Sequence, residues 1–117
     1  MEVQIFGVRN DADTRKALRF FAERRIETHF VDLKERAASK GELRRFVERY
    51  GADALVDRGS KRLRALGLHQ SFYGPERWLE ILSEEPLLLR TPLVRSGGRL
   101  TVGYAEDAWK EWLAAER

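Results

Sequence analysis

No cysteine occurs anywhere in this sequence. That absence removes disulfides, thiolate nucleophiles and thiolate metal ligands together. Histidine is scarce too: His29 falls in a strand-like stretch and His69 in a loop, neither with a partner at metal-motif spacing. No metal site is expected, and neither imidazole stands out as a general base. No apolar run approaches the roughly 20 residues a membrane helix needs. The chain opens on the strand-like "EVQIF", without a basic region leading into an apolar stretch, so the expectation is no secretory signal and a cytoplasmic location. Charge of one sign is also missing: 22 basic residues are interspersed with 19 acidic ones, for a net +3. This predicts a mixed surface with at most a local positive patch.

What remains is the composition of a soluble globular chain, 43% hydrophobic and 35% charged. A length of 117 residues suits one domain with a single modest core. Val3 to Gly7 is short, apolar and β-prone, a buried strand. Ala17, Leu18, Phe21 and Ala22 follow at helical spacing, with Asp11 or Asp13 placed to cap that helix. "THFVDL" reads as a second strand, which makes the first 30 or so residues a right-handed βαβ unit with parallel strands.

A helical block comes next. Ser39 and Glu42 form a capping box ahead of Leu43, Phe46, Val47 and Tyr50, and Gly51 ends that helix. "ADALVD" is a short turn or helix, and "SKRLRALG" another, with Ser60 as cap and Gly67 as stop. Pro75 suits the first turn of a further helix carrying Trp78, Leu79 and Leu82, which Pro86 prevents from continuing. The period then changes. "LLLRTPLVR" and "RLTVGY" flank Ser96-Gly97-Gly98 as an antiparallel hairpin, and a last helix from about Ala105 to Ala115 carries Glu106 and Asp107 in its first turn.

The order β-α-β, helices, β-β-α, together with "IFGVRNDADTRKAL", "EEPLLLRTPLV" and "RLTVGYAEDAWKEWL", resembles the ArsC/Spx family along nearly the whole chain. The resemblance implies an α/β, thioredoxin-like fold: a single domain over 1–117, its core formed by 1–34 and 86–117, with a helical insert over 35–85. Relatives of this kind are glutaredoxin-dependent arsenate reductases and Spx regulators.

In that family the loop after the first strand holds a cysteine at the head of the helix. The helix-end N–H groups and dipole there lower a thiol's pKa and cradle an oxyanion. The position following Asn10 is here Asp11. A carboxylate can satisfy the same N–H groups, but it forms no mixed disulfide or thiol–arsenate adduct and repels an oxyanion. Of the three arginines the reductases use, one corresponds to Arg99. The one before the proline corresponds to Thr91, with Arg90 one residue earlier, and the third aligns with Gly59, beside Arg58. Pro92 corresponds to the family's cis-proline, which would bring Asp11 close to the Thr91 backbone. The candidate binding residues are therefore Asn10, Asp11, Arg58, Arg90, Thr91, Pro92 and Arg99, with no catalytic residue assigned.

The run "RGSKRLR" is the densest positive cluster, but no aromatic residue is interleaved to stack bases, so it reads as a solvated helix face and argues against direct nucleic-acid binding. The leading expectation is a non-redox binding or regulatory module with a protein partner. RNA polymerase is the candidate by analogy, because Spx-type relatives bind its α subunit. The alternative is an arsenate reductase-like enzyme that binds an oxyanion or glutathione near Asp11 and Arg99 and borrows an external thiol; no other cofactor is expected. A third reading is a partner-dependent subunit whose helical insert presents the surface.

Overall fold

The computed structural model describes residues 1–116. Its elements run β1 (Glu2–Gly7), α1 (Ala12–Glu23), β2 (Glu27–Asp32), α2 (Lys40–Tyr50), a 3-10 turn (Ala52–Leu55), α3 (Lys61–Ala65), α4 (Pro75–Glu84), a second 3-10 turn (Pro86–Leu88), β3 (Leu93–Ser96), β4 (Arg99–Val102) and α5 (Glu106–Ala115). They fall into two compact units, residues 1–32 with 91–117 and residues 33–90.

The first unit is built on a four-stranded sheet in the order β2-β1-β3-β4. β1 pairs parallel with β2 and antiparallel with β3, and β3 pairs antiparallel with β4. Val3 and Ile5 alternate onto one face, where they bury against Ala17, Phe20 and Phe21 of α1, Val94 of β3 and Trp109 of α5. The rings of Phe20 and Phe21 lie 5.5 and 5.4 Å from that of Trp109. The Trp109 indole N–H donates to Thr101 Oγ1 at 2.8 Å, so the one polar edge of this core is satisfied. α1 stops in a Schellman arrangement: Ile26 N–H donates to the Phe21 carbonyl and Arg25 N–H to that of Ala22, with Arg25 at φ 57°.

The second unit is helical. Ser39 and Glu42 form the reciprocal capping box of α2, Ser60 caps α3, and Pro75 opens α4. Leu43 and Phe46 of α2 and Trp78, Leu79 and Leu82 of α4 are buried as their spacing predicts.

One sequence expectation is corrected. The hairpin's first arm was expected across "LLLRTPLVR", but β3 spans only Leu93–Ser96. Pro86–Leu88 is a 3-10 turn, and Leu89 makes only an isolated bridge to Val56. Leu88 and Leu89 are buried without joining the sheet. A short apolar run reports burial and cannot by itself distinguish strand from turn.

Candidate functional site

β1 ends at Gly7 and the chain turns through Val8–Asn10 to Asp11, whose N–H donates to the Val8 carbonyl at 3.1 Å. Asp11 is the N-cap of α1, extended at φ −87° and ψ 125°. Its Oδ2 accepts from the Thr14 backbone N–H at 3.0 Å and from Thr14 Oγ1 at 2.7 Å. A third hydrogen bond arrives from 80 residues away: Thr91 Oγ1 donates to the same oxygen at 2.9 Å. The Thr91–Pro92 bond is cis. A single carboxylate oxygen thus ties the first loop and its helix to the segment that enters β3.

Thr14 is completely buried. The backbone of Gly7 passes so close that a Cβ there would collide with the Thr14 Oγ1 and methyl group. Gly7 leaves the space that Thr14 needs to reach Asp11. Thr14 was not foreseen as part of this site, although Asp-Ala-Asp-Thr carries its signal, since a hydroxyl three residues after the cap reaches back to it. Asn10 is exposed beside this network, and Pro92 is buried.

Arg99 and Arg58 each find their partners within their own unit. Arg99 donates to the Trp112 carbonyl at 3.4 Å and to the Glu116 carboxylate at 3.0 Å. It finishes the end of α5, where free carbonyls and the helix dipole favour a cation. Arg58 belongs to the helical unit. It donates to the Ser71 carbonyl at 2.8 Å and to Asp53 at 3.3 Å, and it lies over the rings of Phe72 and Trp78 at 4.6 and 5.3 Å. Arg90 is exposed in the same unit, its backbone N–H bonded to the Leu55 carbonyl. Arg62 of the basic run forms a two-pronged pair with Glu85, which removes part of the positive patch.

The ArsC family model matches residues 6–112. The chain belongs to the ArsC family. Among curated relatives it is 30% identical to the uncharacterised protein YusI of Bacillus subtilis, over 83% of this chain and 86% of that one. It is 28% identical to the global transcriptional regulator Spx 2 of Oceanobacillus iheyensis, over 97% of this chain and 84% of that one. Among solved structures it superposes on an arsenate reductase from Vibrio cholerae with a TM-score of 0.81 at 21% identity, covering 94% of this chain and 97% of that one. An ArsC-family-related protein from Bacteroides fragilis gives 0.84 at 17% identity, covering 95% and 97%. The fold is the α/β thioredoxin-like ArsC fold, here in a family member without cysteine. No described helix is long and apolar enough to cross a membrane.

Proposed function

We propose that this ArsC-family chain is a non-redox binding or regulatory module. The observation that carries the reading is the saturation of Asp11 Oδ2 by three donors at the head of α1, where the family resemblance puts the thiol. One of the helix-end N–H groups that would stabilise a thiolate or hold an oxyanion, that of Thr14, is already used, and a fixed negative charge repels an incoming anion. An enzyme that binds arsenate or glutathione here would need cations directed to this loop. Arg99 instead caps α5, Lys16 pairs with Asp13, and the guanidinium that does reach the loop, that of Arg15, is bonded to the Arg9 carbonyl.

The partner reading rests on likeness to a global transcriptional regulator over nearly the whole chain. RNA polymerase, through its α subunit, is the candidate. The test is size-exclusion chromatography of the purified chain with the isolated α subunit of the native polymerase, alongside affinity capture from the native cell. Co-elution with the α subunit is expected. Separate elution, with polymerase absent from the captured material, contradicts the partner reading.

A further inference from the structure

At the opposite end of β1 from Asp11, strand register assembles a group that sequence spacing does not announce. Glu2 of β1 lies opposite Glu27 of β2 in the parallel ladder, and Gln4 lies opposite His29. Glu27 and His29 are two residues apart on one strand, so both project from the same face of the sheet. The ligand atoms of Glu2, Glu27 and His29 all lie within 4.8 Å of one another. His29 Nε2 is 3.6 Å from a Glu27 oxygen.

Two further observations bear on what this group does. Its charge is unmatched: two carboxylates face each other across neighbouring strands, which is destabilising by itself, and Glu2 has no ion-pair partner among the described residues. Arg95, the partner of Gln4 on β3, donates its Nε to the Gly97 carbonyl at 3.0 Å and forms no ion pair with Glu2 or Glu27 among the described residues. Two of the group's three residues, Glu2 and His29, also line a concavity of about 470 Å³ together with Gln4, Arg95 and Ser96, with room for water and further ligands. The geometry points to a divalent transition-metal site of the zinc class, with Glu2, Glu27 and His29 as its protein ligands and water in the remaining positions.

The donor set decides the class of ion. Two carboxylates alone would suit Mg²⁺ or Ca²⁺, whereas an added imidazole favours Zn²⁺ and its neighbours. Tetrahedral coordination with bonds near 2 Å spaces its donors about 3.4 Å apart. All three side chains are exposed and can rotate to close that gap. This inference stands apart from the regulatory reading, since it concerns the other end of the strand and needs no protein partner.

The test is calorimetric titration of the tag-free chain with ZnCl₂, paired with NMR of the histidine ring protons. One saturable site is expected, with the His29 resonances shifted and those of His69 unchanged. His29→Ala, Glu2→Gln and Glu27→Gln should each weaken Zn²⁺ binding at least about tenfold, and His69→Gln should leave it unaltered. Melting curves of each variant without metal separate lost folding from lost binding. No saturable binding below about 1 mM, binding unaffected by His29→Ala, or Mg²⁺ competing as well as Zn²⁺ would overturn the assignment.

Discussion

The two ends of β1 carry carboxylates in opposite circumstances. Beyond Gly7, one oxygen of Asp11 takes three donors, two from Thr14 and one from Thr91. At the start of the strand, Glu2 and Glu27 face each other beside the His29 imidazole, and Glu2 has no ion-pair partner among the described residues. Three acidic residues of the helical unit side with Asp11: Glu42 pairs with Arg36, Glu76 with Arg44 and Glu85 with Arg62. A carboxylate oxygen whose acceptor capacity is spent on the fold is a structural part and has little left for a ligand. One with unmatched charge is free to take a ligand, and the fold does not depend on it. The contrast separates the head of α1, where the family resemblance would look for chemistry, from the strand start, where the charge is spare.

The largest expected effect comes from removing the saturated carboxylate. Asp11→Ala should destabilise the chain by about 2–4 kcal/mol, since it deletes a helix cap and leaves the buried Thr14 hydroxyl unpaired. Urea unfolding measures this, and the same experiment on Glu2→Gln should show no loss. Equal costs at the two positions would break the comparison. Gly7→Ala should follow, at about 1–3 kcal/mol, because the added methyl strikes Thr14 and pushes it off Asp11. Arg99→Ala should cost only about 0.5 kcal/mol, the scale of a cation at a helix C-terminus, if its role is to finish α5.

The smallest effect is one of pH. Hydrogen bonds from Arg44 and Arg62 hold the Glu76 and Glu85 carboxyls below their ordinary value of 4.5. At Glu42 partial burial pushes upward, but Arg36 and Ser39 outweigh it and the net shift is also downward. Groups with depressed folded pKa values contribute fully above their unfolded values, and that contribution fades as pH falls through the lowered folded values. Stability should therefore decline modestly below about pH 4.5, modestly because these pairs are solvent-exposed. Glu76→Gln and Glu85→Gln together should flatten the acid limb of a melting-temperature profile. An unchanged limb would show that these pairs do not couple to folding.

How much of this could be read in the sequence follows from the range of each interaction. Asp11, Ser39 with Glu42, Ser60 and Pro75 were legible because a cap acts within three or four residues of itself. The stop of α1 was not legible. It uses Arg25 in a left-handed conformation where glycine would be the usual sign. The bond from Thr91 to Asp11 was approachable only through the resemblance that placed Pro92 beside the first loop. Arg99 shows the limit of such a transfer. Its position in the hairpin was right, but its side chain serves Trp112 and Glu116 on a later helix. Glu2, Glu27 and His29 were invisible as a set, because parallel pairing joins residues 25 positions apart and His29 read alone suggests nothing.

The central claim is that the head of α1 is closed by a carboxylate and performs no thiol-type reduction. The most direct measurement is the rate of arsenate-dependent glutathione oxidation with the purified chain, glutaredoxin and a glutathione-recycling system. The rate should equal that of the same mixture without the protein at every arsenate concentration. A saturable rate above that background, abolished by Arg99→Ala in a chain that still melts cooperatively, would contradict the claim.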